Sequence, residues 1–157
     1  MKPVVKKATP AAIAVLRQAT ALYPSRKKAS DGLLPSAAHI HQNPNSDHNT
    51  GFGVDLTHDK LGGIDCVNLF QELKADKRVK YLIFQGKIWS VDRAKEGDRE
   101  YTGPNKHEKH LHISIKEGCG DDTSPWFPWL GKPKVVGKVK AAVKSLPKKK
   151  EPTSPKE

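Results

Sequence analysis

Apolar residues recur at helical spacing from Ala11 to Leu22, directly after Thr9-Pro10 and just ahead of Pro24. A threonine cap, proline at the first helical position and a proline stop predict a helix over that stretch. Asp65 caps a second helical stripe through Val67, Leu69, Phe70 and Leu73. Elsewhere the period is two, the strand spacing. Residues 52–56 and 111–115 alternate in this way, and 80–85 and 87–91 flank Gln85-Gly86 as a hairpin. Residues 24–50 and 93–106 are polar and turn-rich, and so long an irregular stretch in a small domain is usually functional or disordered. Two helices and about four antiparallel strands predict a small α+β domain, an antiparallel sheet with flanking helices.

After Trp129 the pattern changes. Val136, Val139, Val143 and Leu146 share one helical face among lysines, and Pro147 ends that stripe before a Lys- and Pro-rich end that reads as disordered. The chain of 157 residues therefore divides into a domain over 8–130 and a basic tail over 131–157. The tail holds nine lysines against two glutamates, +7 of the formal +11, which leaves +4 for the first 130 residues. The bulk charge thus belongs to the tail, which is either solvated or a basic amphipathic helix meeting an anionic surface. No apolar run reaches the roughly eighteen residues of a membrane span. Residues 1–7 lack the apolar stretch of a secretory signal, so synthesis in the cytoplasm without export is expected. Cys66 and Cys119 show no metal-type spacing and are expected to be reduced structural thiols.

The chemistry concentrates in two short segments, residues 46–55 and 107–112. His110 and His112 lie two apart on a strand and so share a face, where one can ligate a metal while the other moves protons. Asp55 sits on the strand of 52–56, and His48 lies in the loop leading into it. Gly51 and Gly53 remove side-chain bulk between them, which lets that loop fold back until His48 and Asp55 converge. One carboxylate and two imidazoles give a divalent cation three ligands and leave a position open for water. Zinc suits that donor set, lowering the pKa of water and polarising a carbonyl. His39, His41 and His58 read as surface or core histidines without a chemical task.

Ser46-x-His48-x-x-Gly51-x-Gly53-x-Asp55 resembles the SxHxxGxAxD motif of the zinc peptidases that cut bacterial cell-wall peptides. Those are the D-alanyl-D-alanine carboxypeptidases and dipeptidases and the L-alanyl-D-glutamate endolysins, within the lysostaphin and hedgehog-type metallopeptidase fold. His107-x-x-His110-x-His112 is similar to the motif of lysin-like members and penicillin-insensitive murein endopeptidases. The stretches 23–32 and 101–107 also look like that subgroup, and the likeness covers about residues 22–126.

The resemblance implies one zinc ion held by His48, Asp55 and His112. His110 becomes the general base or a transition-state stabiliser, and His107 lines the cleft. Arg26 holds substrate or the developing oxyanion, and Ser46 supports the ligand loop on the substrate side. The carboxypeptidase branch carries a catalytic glutamate three residues before its last zinc histidine. Lys109 stands there instead. Glu108, one place off, faces away from His112 on a strand and replaces His110 as base only where a bulge re-aims it. Carboxypeptidase specificity therefore does not transfer, and an L,D- or D,D-peptidase activity is left open.

The expected protein is thus a monomeric, endolysin-type hydrolase of peptidoglycan that reaches the wall by holin-type or virion-mediated access. Its tail would meet an anionic wall polymer or membrane surface. Two other readings compete. A metal-dependent nuclease is suggested by the net charge and Asp47-His48-Asn49. The charge sits in the tail, however, and no second carboxylate cluster of metal type appears near His48, so no specific nucleic-acid partner is expected. A non-catalytic wall-binding module with structural zinc would more often close the site with a fourth protein ligand, which His107 or His110 could supply, so the sequence leaves this reading open.

Overall fold

The computed structural model describes residues 4–130, which includes nearly all of a compact unit, Met1–Phe127, and the start of a second, Pro128–Glu157. The basic tail and its valine stripe lie outside the described residues. The first helix, α1 (Pro10–Leu22), begins where Thr9 accepts a hydrogen bond from the Ala12 N–H. It buries small residues, Ala11, Ala12, Ala14, Val15 and Ala19, which lets the helix approach the sheet closely. A short helix, α2 (Ala37–Gln42), follows, capped by the Ser36 hydroxyl. Six residues without a single buried side chain carry no apolar stripe, so the hydrophobic pattern gave no sign of it.

The strands are β1 (Gly53–Thr57), β2 (Val79–Phe84), β3 (Lys87–Ser90), β4 (Arg99–Glu100) and β5 (His110–Ile115). They form one antiparallel sheet in the order β1-β5-β2-β3-β4. The helix α3 (Cys66–Glu72), capped by Asp65, runs before β2 and continues into a turn of 3-10 helix at Leu73–Ala75. Within the segment expected as a charged loop, the structure shows a 3-10 helix (Val91–Glu96) and the two-residue strand β4. The fold is α+β, with five strands and three α-helices among the described residues.

Alternation sorts the two faces of the sheet. Val54 and Leu56 on β1, Leu111, Ile113 and Ile115 on β5, and Leu82 on β2 are buried to within a percent of completely. They form the core with Val15, Leu69, Leu73 and Trp126. The other face of β1 and β5 carries Asp55, His110, His112 and Ser114. A slip of one residue in the β1–β5 register would drive His112 into the hydrocarbon core, so burial of one face fixes the placement of the other. The segment after β5 is fastened to the core by Arg78. Its guanidinium lies 3.6 Å over the Trp126 ring, pairs with Asp76 at 2.7 Å and donates to the Ser124 carbonyl at 2.8 Å.

Candidate metal centre

Asp55 and His112 are direct cross-strand partners in the β1–β5 ladder. Opposed side chains on one face lie within contact distance, and here His112 Nδ1 is 3.0 Å from Asp55 Oδ1. The third member comes from the loop. His48 Nε2 lies 3.2 Å from the same oxygen. That requires the chain from Asp47 to Gly53 to fold tightly back. Gly51 has φ +82°, and a Cβ on Gly53 would stand 2.9 Å from His48 N and 3.2 Å from His112 Cε1. Any side chain at position 53 would force the ligand loop off the strand.

These groups are braced from behind. His48 Nδ1 is 2.7 Å from the Leu33 carbonyl, an acceptor only, so Nδ1 carries the proton. In neutral His48, Nε2 is then a lone pair aimed at a carboxylate oxygen. Two acceptors at 3.2 Å need a positive species between them, either a proton or a metal ion. His112 Nε2 is 2.8 Å from the Ser114 hydroxyl, which can take its N–H and leave Nδ1 free as a ligand. Tyr81 stacks on the His112 ring at 5.4 Å, and its hydroxyl bonds to Ser114 and Asp47. Asp47 is nearly fully buried and pairs with Lys80 at 3.0 Å. Lys80 reaches it from a bulge in β2, where the register shifts between Val79 and Tyr81.

The electrostatics follow from this crowding. Burial works against the Asp55 charge, but its hydrogen bonds to His112 and His48 hold the carboxyl well below the usual range. Burial likewise opposes a charged His48, yet the bonds to Asp55 and Leu33 outweigh it and raise its pKa. Two further histidines stand beside the trio. His110 Nε2 is 3.6 Å from Asp55 Oδ2, and the His107 and His110 rings lie 5.0 Å apart. Burial lowers the pKa of His110 and takes that of His107 down to about 4, so both are neutral near pH 7. His48, Asp55 and His112 form a group able to hold a metal ion, their ligand atoms all within 4.8 Å of one another.

The structure thus brings together His48, Asp55, His112, His110 and His107. Arg26 goes elsewhere. It is 3% exposed, and its guanidinium grips Asp31 through two bonds of 3.0 and 2.7 Å while Nε donates to Thr20. Asp31 in turn accepts from the Thr57 N–H and hydroxyl, and Gly32 exchanges two backbone bonds with Asp55 on the outer edge of β1. Arg26 therefore locks the loop that supports Asp55 rather than facing the cluster. Ser46 also acts from behind: its hydroxyl accepts from the His48 N–H at 3.2 Å and contacts His39 Nε2 at 3.0 Å. His39, read from the sequence as a residue without a task, stands edge-on to the His48 ring at 5.4 Å. His58 is structural, with Nδ1 accepting from the Cys66 N–H. Glu108 is exposed and outside both metal-capable groups.

A family model described as VldE, C-terminal domain, matches residues 5–112, more than half of the chain. The chain belongs to that family. The VldE C-terminal domain match begins ahead of α1 and ends at His112, so it takes in every member of the cluster. No curated protein and no solved structure matches the chain.

Proposed function

We propose that this chain is a zinc-dependent peptidase that hydrolyses an amide bond in the peptides of the bacterial cell wall. The observation that carries the reading is the convergence of His48 Nε2 and His112 Nδ1 on one oxygen of Asp55, with His110 3.6 Å from the other oxygen. Three donors of this kind suit zinc and leave a coordination position open, where the ion supplies a water activated near neutral pH and polarises a carbonyl.

The protein's own groups divide the remaining work. Asp55 and the two braced imidazoles hold the ion in a fixed place. His110 is neutral near pH 7, with Nε2 facing the cluster, and so accepts the proton of the attacking water and returns it to the leaving amine. His107 stands against the His110 and His112 rings at 5.0 and 5.6 Å and narrows the site. A cavity of about 400 Å³ opens at His110, lined also by Ser30, Pro104, Asn105, Lys106, Glu108 and Lys109, two lysines against one glutamate. Two lysines at that mouth favour a peptide bearing a free carboxylate near the scissile bond, a feature of wall stem peptides. Lys109, in place of the glutamate of the carboxypeptidase branch, adds to this positive rim.

The test is digestion of purified peptidoglycan with and without a zinc chelator, followed by mass analysis of the soluble fragments. New amino groups that vanish with chelator and return with zinc are the expected result, and fragment masses name the bond. A metal-loaded protein that binds walls yet releases no fragment from any wall type would replace the peptidase by a binding module.

A further inference from the structure

Asp55 turns its two oxygens to different histidines. Oδ1 faces His48 and His112 at 3.2 and 3.0 Å, while Oδ2 faces His110 at 3.6 Å. Asp55, His107 and His110 form a second metal-capable group whose ligand atoms also lie within 4.8 Å of one another. Metal–ligand bonds of about 2.0–2.2 Å put the donors of a tetrahedral ion about 3.5 Å apart, so modest side-chain rotation closes that group on a cation.

An independent observation points the same way. His107 Nδ1 and His110 Nε2 are buried, and neither has a hydrogen-bond partner. Buried imidazole nitrogens are ordinarily satisfied, and an orphan pair calls for a partner such as a water or an ion. His107 is moreover held at φ 56°, a left-handed conformation uncommon for a residue other than glycine. Asn105 Oδ1 accepts its N–H and the Gln85 N–H bonds to its carbonyl, each at 3.0 Å, and Tyr101 stands edge-on to its ring. Strained backbone kept in place by its surroundings clusters at ligand clamps.

We propose that Asp55 bridges two divalent-cation sites, the second formed by Oδ2 with His107 and His110. The inference rests on the metal reading of the first trio. Imidazole and carboxylate donors select a borderline ion such as zinc or cobalt, and two-metal centres place their ions about 3.5–4 Å apart. The first site fills first, because both its imidazoles are braced and already lie within 3.2 Å of Asp55. Filling the second takes up the His110 lone pair, so metal beyond one equivalent lowers hydrolysis.

The experiment uses the full chain, stripped of metal and titrated with Co(II), followed by calorimetry and electron paramagnetic resonance. Two equivalents are expected, and the signal of the first falls as the second enters, the mark of exchange across a shared carboxylate. His107→Gln and His110→Gln each bind one equivalent with an undiminished signal, and circular dichroism checks their fold. His107 lies in a loop, so its variant keeps the test open if the strand variant misfolds. One equivalent in the unsubstituted chain overturns the proposal, as does a second uncoupled equivalent that survives both substitutions, the behaviour of a surface histidine such as His41. One equivalent with fragment release sinks the second site and leaves the peptidase standing. Two coupled equivalents without fragment release do the reverse.

Discussion

His110 and His112 differ by two positions and in their hydrogen bonding, and that difference separates their tasks. His112 is fastened by Ser114 and aimed at Asp55 Oδ1, whereas His110 Nε2 is buried without a hydrogen-bond partner. His110→Gln should therefore keep the first metal equivalent, measured by metal analysis, while hydrolysis falls about 10²- to 10⁴-fold, the range for loss of a general base. Ser114→Ala removes the acceptor that orients His112. Metal affinity should drop about 10- to 100-fold with fold intact, since outer partners of ligating histidines carry that much. Competition with a fluorescent chelator reads it directly. Cys66 offers a contrast: burial pushes its thiol up to about 12, so it is an inert filler of α3 and no rival ligand.

The loop from Arg26 to Gly32 is a support for β1, and its stability is electrostatic. Burial opposes the Asp31 charge, but hydrogen bonds from Arg26 and Thr57 outweigh it and depress the pKa. A depressed carboxylate contributes stability that is fully present above its unfolded value near 4. That contribution is lost as pH falls through the lower folded value. Asp31→Asn should therefore flatten the acid limb of the stability curve relative to the parent chain, checked by thermal melts from pH 7 to pH 2. Arg26→Met leaves the half-buried Asp31 carboxylate without its counter-ion and should cost about 3 kcal/mol. Its damage should show first as lost stability and weaker metal binding, because Gly32 delivers the strain to Asp55 through two backbone bonds.

For the whole molecule, a metal that binds only the folded chain couples the site to stability. At a free concentration a thousand times the dissociation constant it adds about 4 kcal/mol. Chelation should thus lower the melting temperature by about 10 °C in a domain of this size, and a scan with and without chelator measures it. The basic segment 131–157 belongs to this scale as well. If it concentrates the protein on anionic walls, its deletion should lower activity on whole walls far more than on a soluble peptide, and equal losses would remove that role.

The helices α1 and α3, the β2–β3 hairpin and β5 are legible along the chain, because caps, proline stops and the two periodicities are local signals. So were the members of the cluster, since strand alternation puts His110 and His112 on one face and two glycines fold His48 back to Asp55. What the amino-acid order alone left open was everything that depends on partners distant in sequence. The helix α2, capped by Ser36 with no side chain buried, and the strand β4, held by its pairing with β3, are too short to carry a period. Arg26 read as a residue facing substrate, but only the folded loop shows Asp31 five residues away taking its guanidinium. Tyr81 comes to His112 through the β2–β5 register, and Lys80 to Asp47 through the bulge beside it, pairings of separate segments that no local pattern encodes, whereas Ser114 lies two residues along β5 itself. The sequence thus determined which side chains could do chemistry, because residue type and period are intrinsic to the chain. Tertiary structure decided which of them share one carboxylate and which merely hold it, because hydrogen bonds and burial are properties of neighbours brought together by the fold.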